Sequence, residues 1–364
     1  MIDADAFAVL IADWCLEVAP GQQIVVESTT LAAEPAAALH RVILERDAWP
    51  LLRLTPPGVG NAITPGVEYL RHARDRHLDG FPPIDLLTLQ QADARVRIDA
   101  PGRAGALSGV DPALASRQAR GAAELRRARL AIRWCGSIWP TEALAERAGM
   151  PFTQYADFVE RALFLDQPDP VAQWRALSER QAQLVQRLAP VRQVRIESNG
   201  TDLTLDVSER TWINSDGRRN MPSGEVFTGP VEHSANGRIR FDVPSRRSGA
   251  TVSGVELTFV DGEVVSARAD VGDEHLQATL AIDGGARFLG ELGIGTNAGI
   301  DRATGSTLLD EKMAGTVHLA LGNSYEETGG VNHSALHWDL ICDLRKGGRV
   351  TVDGEPLILD GSIL

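Results

Sequence analysis

Residues 7–26 read FAVLIADWCLEVAPGQQIVV, and this stretch indicates how the first half of the chain folds. Its large apolar side chains recur at the spacing of one helix face until Pro20 and Gly21 interrupt the pattern. The β-branched run Ile24–Val26 follows at once. The stretch therefore predicts a helix, a turn and a strand.

The same alternation continues along the next hundred residues. Helical patterns are predicted over 36–44 and 114–127, and short apolar runs predict strands over 51–54, 96–98 and 130–134. Strands separated by helices are typical of an α/β layer with a largely parallel sheet. No glycine-rich turn directly follows a strand and opens a helix here, so a phosphate-binding glycine loop is not expected.

The pattern of the sequence changes after a long predicted helix. That helix is predicted to begin at Asp169-Pro170, an N-cap residue followed by proline in the first turn, and to end before Pro190. Short alternating runs follow, separated by dipeptides that favour hairpin turns: Asn199-Gly200, Asp216-Gly217 and Asp261-Gly262.

These patterns predict two domains with a boundary near 185–195. The 364 residues of the chain exceed the roughly 250–300 at which a single hydrophobic core stops growing. We expect an N-terminal α/β domain, 1–188, with a largely parallel sheet. A mainly antiparallel α+β domain, 189–364, is expected to carry the functional site.

Charge and composition narrow the possible partners. Acidic residues outnumber basic ones by 49 to 36, and the net charge of −13 repels phosphate backbones and anionic membranes. We therefore expect no nucleic acid and no membrane partner. Because the first 15 residues carry acidic groups where a signal peptide needs basic ones, a cytoplasmic location is predicted. The three cysteines are widely spaced and predict neither disulfides nor a zinc ribbon.

Candidate metal ligands are densest late in the chain. His337 and Asp339 are two residues apart, and in a strand such residues point to the same face, where an imidazole and a carboxylate can bind one divalent ion. This pattern is common by chance and does not decide the matter alone.

Two glutamates strengthen the interpretation. Glu225 lies in NMPSGEVFTGP, residues 220–230, and Glu291 lies in LGELGIGTN, residues 289–297, where nearby glycines let the backbone approach closely. Both settings are apolar, and a buried carboxylate is costly unless a cation compensates its charge.

Long motifs surround these candidates, and together they resemble a known family. Besides the two stretches above they include LDEKMAGTVHLALGNSY, residues 309–325, and TGGVNHSALHWDLI, residues 328–341. The chain resembles, over almost its whole length, the metallo-aminopeptidases typified by aminopeptidase T and aminopeptidase S. The resemblance implies a homodimer that hydrolyses the first peptide bond of peptides with a free amino terminus.

The resemblance also implies roles for individual residues. Tyr325 matches the catalytic tyrosine, which is expected to donate a hydrogen bond to the tetrahedral oxyanion. Glu311 and Lys312 are interpreted as groups that support the site. The residues that match the family's metal ligands are Glu225, Glu291, His318, His337 and Asp339.

This ligand set suits two ions better than one. Two imidazoles and three carboxylates are too many donors for one tetrahedral zinc, but they suit two divalent ions roughly 3.5–4 Å apart with a bridging carboxylate. Glu291 is the candidate bridge and so counts as catalytic as well as ligating. Zinc, cobalt or manganese are the expected metals.

Two alternatives stay open at this point. A single-iron ring-cleaving dioxygenase of the dihydroxypyridine type has two histidines and one carboxylate, which His318, His337 and Asp339 could supply. Such an enzyme does not need Glu225 and Glu291, and these two residues favour the peptidase. A binding module without activity is less favoured because none of the expected ligands is missing.

Overall fold

The computed structural model describes residues 2–103, 109–247 and 249–364. Within them the helices are α1 (Ala4–Val9, continued by the π-helical Leu10–Cys15), α2 (Ala33–Glu45), α3 (Val67–His72), α4 (Asp75–Leu78), α5 (Pro83–Gln91), α6 (Pro112–Gly121), α7 (Ala123–Ala131), α8 (Glu142–Ala148), α9 (Phe152–Ala162), α10 (Pro170–Leu188), α11 (Asp273–Leu280) and α12 (Thr307–Asp310). None of these helices combines the length and the apolar character needed to cross a membrane.

The strands, in chain order, are β1 (Gln23–Thr29), β2 (Trp49–Thr55), β3 (Ala94–Asp99), β4 (Arg133–Ile138), β5 (Gln193–Ser198), β6 (Thr201–Asp206), β7 (Ile213–Ser215), β8 (Asn220–Met221), β9 (Glu225–Thr228), β10 (Asn236–Phe241), β11 (Ser245–Arg247), β12 (Ala250–Val252), β13 (Val255–Val260), β14 (Glu263–Arg268), β15 (Leu289–Gly295), β16 (Thr316–Gly322), β17 (His337–Asp343), β18 (Arg349–Val352), β19 (Glu355–Leu359) and β20 (Ser362–Ile363). Short 3₁₀ turns lie at Thr30–Ala32, Gly284–Arg287 and Glu326–Thr328.

The chain forms two compact units. The first consists of Met1–Trp174 and Gly217–Pro222, and the second of Arg175–Asp216 and Ser223–Leu364. The change of unit after Trp174 falls within α10. The indole of Trp174 donates to the carbonyl of Leu163, also in the first unit, at 3.0 Å. The division into one domain of residues 1–188 and another of residues 189–364 stays a prediction.

The first unit confirms the predicted parallel α/β layer. Its sheet has the order β2-β1-β3-β4-β8, and each neighbouring pair is parallel. The helix predicted over 114–127 is wrong in its length, because α6 and α7 form two helices interrupted at Ala122. The strand predicted to start at Leu130 starts at Arg133, since Leu130 belongs to the end of α7.

The second unit confirms the mainly antiparallel α+β prediction. One antiparallel sheet has the order β14-β13-β10-β6-β5-β18-β19-β20, and another has the order β17-β16-β15-β9-β7. Apolar side chains of both sheets form one core, in which Leu203 and Ile239 contribute from the first sheet and Leu292 and Val317 from the second. Every residue of β15 and β16 is buried, so these strands lie at the centre of the unit.

Two of the three predicted hairpin turns are confirmed, and one is wrong. Asn199-Gly200 joins the antiparallel pair β5–β6, and Asp261-Gly262 joins β13–β14. At Asp216-Gly217 the chain instead leaves the second unit for the first, where β8 pairs with β4 in parallel. The positive φ of Gly217, 100°, serves this change of direction.

Candidate metal centre

Four adjacent strands of the second unit, β17-β16-β15-β9, carry the five predicted ligands. Glu225 opens β9, Glu291 and His318 lie early in β15 and β16, and His337 and Asp339 are on β17. Each ligand has a small residue opposite it in at least one neighbouring strand. These small residues are Gly295 opposite Glu225, Gly293 opposite His318, Ala320 opposite both Glu291 and Asp339, and Gly322 opposite His337.

The structure brings all five side chains together. Nε2 of His318 lies 3.4 Å from Oε2 of Glu225 and 3.3 Å from Oε1 of Glu291. Nε2 of His337 lies 3.4 Å from Oε2 of Glu291 and 3.7 Å from Oδ2 of Asp339. Each carboxylate oxygen of Glu291 therefore faces a different imidazole.

The ligand atoms form two groups that share one residue. In the first group, atoms of Glu225, Glu291 and His318 lie within 4.8 Å of one another, and in the second the same holds for Glu291, His337 and Asp339. Each group offers one imidazole nitrogen and two carboxylates. This combination of nitrogen and oxygen donors fits a divalent ion such as zinc, cobalt or manganese.

The site is largely removed from water. His318 is fully buried, and Glu225, Glu291 and Asp339 are 5%, 5% and 7% exposed. Three buried carboxylates repel one another unless cations or protons neutralise them. Oε2 of Glu225 and Nδ1 of His318 have no hydrogen-bond partner among the described residues, so the protein alone leaves the site incompletely satisfied.

Lys312 supplies one compensating charge. This fully buried ammonium lies 3.2 Å from Oε1 of Glu225 and also contacts the carboxylate of Glu311. Burial alone lowers the pKa of Lys312, but Glu225 and Glu311 together raise it, so the ammonium stays charged. The supporting role that the sequence indicated for Glu311 and Lys312 is consistent with these contacts.

The raised pKa values of the candidate ligands reflect the excess of negative charge that remains in the site when no metal is bound. Although burial lowers the pKa of His318, its hydrogen bond to Glu291 and the charge of Glu225 raise it to about 9. Burial and the charge of Glu311 raise the pKa of Asp339 to about 7, and burial also raises the pKa of Glu225. Without a bound metal, protons therefore occupy ligand atoms that divalent cations could bind instead.

Backbone contacts orient His337. Its Nδ1 donates to the carbonyl oxygen of Asn323 at 2.8 Å, which directs Nε2 toward Glu291 and Asp339. An imidazole whose second nitrogen donates to a carbonyl is the usual arrangement for a metal-binding histidine. The ring of Tyr325 packs edge-on against that of His337, with centroids 5.0 Å apart.

Tyr325 lies beside His337 and is partly exposed to solvent. The residue is 43% exposed, and its ring also contacts Phe227 with centroids 5.6 Å apart. Burial of the hydroxyl group and the carboxylates of Glu291 and Asp339 raise the pKa of Tyr325. The hydroxyl therefore keeps its proton at neutral pH and can donate a hydrogen bond.

A match that covers almost all of the chain decides its family. A family model described as thermophilic metalloprotease (M29) matches residues 3–361. The chain belongs to this family. The resemblance to metallo-aminopeptidases inferred from the motifs is therefore confirmed, and so is the expected class of enzyme, a metal-dependent hydrolase.

Named relatives agree with this membership of the M29 family. Aminopeptidase 2 of Geobacillus stearothermophilus is 32% identical over 341 residues, covering 80% of this chain and 82% of the relative. Aminopeptidase T of Thermus thermophilus is 32% identical over 262 residues, covering 63% of this chain and 60% of the relative.

A solved structure supports the fold. The structure of wild-type AmpT from Thermus thermophilus matches with a TM-score of 0.82 at 24% identity, and the match covers 99% of this chain and 98% of that one. The dioxygenase alternative gains no support from these relatives.

Sequence reasoning missed the residues that fix the backbone beside Glu225. The buried Gln181 on α10 donates from Nε2 to the carbonyl of Glu225 at 2.7 Å and accepts at Oε1 from the hydroxyl of Thr296 at 3.0 Å. Nδ2 of Asn297 donates to the carbonyl of Ser223 at 2.8 Å. A glutamine within an amphipathic helix gives no sequence signal of this role, whereas Asn297 lies inside the motif LGELGIGTN.

Proposed function

We propose that the chain is an aminopeptidase that hydrolyses the N-terminal peptide bond of unblocked peptides with two divalent metal ions. The observation that carries the proposal is the position of Glu291, which belongs to both groups of ligand atoms. A carboxylate that places one oxygen toward each of two imidazoles is arranged as a bridge.

The two ion positions differ in their donors. Glu225, Glu291 and His318 would hold one ion, and Glu291, His337 and Asp339 would hold the other. These imidazole and carboxylate ligands suit zinc, cobalt or manganese, and the proposal includes all three. Two bound divalent ions supply a water of near-neutral pKa and polarise the peptide carbonyl.

Side chains of the protein stabilise the oxyanion and position the metal ligands. Tyr325 keeps its proton and is placed beside His337, so we assign it the hydrogen bond to the oxyanion of the tetrahedral intermediate. Burial raises the pKa of Glu225, and the ammonium of Lys312, 3.2 Å from Oε1, opposes this effect and so favours the ionised form that can bind a metal. Gln181 and Asn323 hold the backbone and the imidazole to which these ligands are attached.

Names of the relatives support the substrate class. The relatives are named aminopeptidases, and an aminopeptidase acts on peptides with a free amino terminus. The homodimer, the cytoplasmic location and the lack of nucleic-acid partners that the sequence predicts stay predictions.

Hydrolysis of matched peptides tests this function. The metal-loaded protein is expected to release leucine from a leucyl peptide and to leave the N-acetylated form of the same peptide intact. Equal cleavage of both peptides would identify an enzyme that does not need the free amino group. Oxygen consumption on an aromatic diol, without peptide cleavage, would favour the dioxygenase instead.

A further inference from the structure

The first unit contains a cavity that the proposed hydrolysis does not use. It has a volume of about 580 Å³ and lies at the carboxyl ends of β1, β2 and β3. Its wall includes Glu27–Thr29, Arg53, Thr55 and Arg97–Asp99, together with the segment that follows β2. Cavities of roughly 300–1,000 Å³ are the usual size of small-molecule sites.

The position of this cavity in the sheet is typical of a ligand site. The strand order β2-β1-β3-β4 places β2 on one side of β1 and β3 on the other, so the direction of winding changes at β1. In open parallel α/β sheets, ligands bind at the carboxyl edge beside such a change.

The cavity wall is rich in guanidinium groups. Arg53, Arg71, Arg97 and Arg103 line it, against the carboxylates of Glu27, Glu68 and Asp99. Arg53 is already engaged, since its Nη1 donates to Asp85 at 2.9 Å. Within the part of the chain that the structure describes, Arg97 makes only long contacts, at 3.3 Å to the hydroxyl of Thr64 and 3.4 Å to Asp99. Its guanidinium group therefore keeps its capacity for a bidentate anion.

Other guanidinium groups add positive charge near Arg97. Burial lowers the pKa of Arg129, and the neighbouring guanidinium groups of Arg95 and Arg97 lower it further. An anion in the cavity would relieve this repulsion.

An acceptor in the same wall is incompletely satisfied. Glu27 is only 6% exposed, and its Oε2 accepts from Nε of Arg95. Its Oε1 and Nη2 of Arg95 have no hydrogen-bond partner among the described residues. A buried carboxylate oxygen without a donor is costly. Because Glu27 lines the cavity, a rotation of its carboxylate toward the cavity would let a ligand's hydroxyl or ammonium group satisfy this oxygen.

We propose that this cavity binds a small organic anion that carries a phosphate or carboxylate group for Arg97 and a hydroxyl or ammonium donor for Glu27. Side chains rather than a glycine-rich loop hold the anion, in keeping with the lack of such a loop after β1. Sugar phosphates and free amino acids share this chemistry, and both are smaller than the cavity.

Titration calorimetry on the full chain tests the proposal with four probes. Ribose 5-phosphate and leucine each combine an anion with a donor, whereas inorganic phosphate lacks the polyol and ribose lacks the charge. We expect ribose 5-phosphate or leucine to bind more tightly than both single-function probes. The probe that binds identifies the source of the ligand.

Two variants locate the binding in this cavity. Arg97→Gln is expected to weaken the affinity about tenfold, which is the loss of a charge-assisted pair. Glu27→Gln is expected to weaken it too, and its unfolding midpoint shows whether the fold persists. Arg195→Gln, which removes an exposed arginine paired with Asp202 in the second unit, is expected to change nothing. Absence of binding by both two-function probes, or equal affinity in wild type and Arg97→Gln, would overturn the proposal.

Discussion

Gly293 lies directly opposite His318 in the sheet, and a Cβ atom on residue 293 would come within 2.0 Å of Nε2 of His318. The same Cβ would lie 2.1 Å from Cε1 of that ring. The imidazole therefore occupies the space that the missing side chain leaves, and this places Nε2 beside Glu225 and Glu291. A backbone position on β15 thus determines the geometry of a ligand on β16.

Gly293→Ala is expected to displace the imidazole of His318 and to lower both metal occupancy and activity. A misplacement of about 1 Å in a catalytic group costs on the order of 100-fold in rate. Metal content by elemental analysis and the rate of leucyl-peptide hydrolysis measure the two effects. Gly284→Ala is the matched control, since a Cβ there meets nothing within 4 Å. Normal metal content in Gly293→Ala would contradict the role of this contact.

Lys312→Met is expected to destabilise the metal-free protein by about 3–5 kcal/mol, because it leaves Glu225 and Glu311 buried without their counter-charge. Added metal is expected to recover part of that loss, since a cation binds the Glu225 carboxylate. Urea unfolding with and without metal measures both quantities. The exposed Lys346→Met serves as the control. If both lysine variants unfolded at the wild-type urea concentration, the buried ammonium would have no compensating role.

Tyr325→Phe is expected to lower kcat by roughly 10²–10³ while leaving metal content unchanged, because a single oxyanion donor is lost. The phenyl ring keeps the contacts with Phe227 and His337, so the fold should persist. Tyr69→Phe, whose hydroxyl bonds to a carbonyl in the first unit, is the matched control. Steady-state kinetics distinguish this outcome from a change confined to KM, which would assign Tyr325 to substrate binding.

Metal affinity is expected to rise with pH. Protons compete with the metal for His318, whose pKa is raised to about 9, and for Asp339, whose pKa is raised to about 7. At neutral pH His318 is therefore protonated and Asp339 is protonated in about half of the molecules, and metal binding must release these protons. Competition with a chelator across this pH range measures the effect, corrected for the chelator's own titration. A flat affinity would mean that neither proton occupies the ligand atoms.

Much of the fold follows from local patterns in the sequence. The apolar periodicity of residues 7–26 and the hairpin dipeptides at 199–200 and 261–262 predict elements that the structure confirms. Asp216-Gly217 misleads because the same turn chemistry serves a crossing between units. The partner of the following strand, β4, lies more than eighty residues away in sequence, and no local pattern reports such a pairing.

The charged residues of the candidate site could be predicted from the sequence because they lie in long motifs. The expected close approach of backbone beside Glu291 is confirmed at Gly290, where a Cβ atom would lie 2.4 Å from the carbonyl oxygens of Gly322 and Asn323, whereas Gly293 makes room for the ring of His318. This difference depends on the register of β15 and β16, which a single sequence does not specify. Gln181 was missed because its contacts with Glu225 and Thr296 arise only when α10 packs on the sheet.

Metal stoichiometry of the wild type and of Glu291→Gln tests the two-metal proposal most directly. Since Glu291 belongs to both groups of ligand atoms, the wild type is expected to bind two divalent ions per chain, and Glu291→Gln is expected to lose metal and hydrolysis together. Arg195→Gln should retain both. One tightly bound iron in the wild type, or full metal content and near-normal hydrolysis in Glu291→Gln, would contradict the bridged two-metal site.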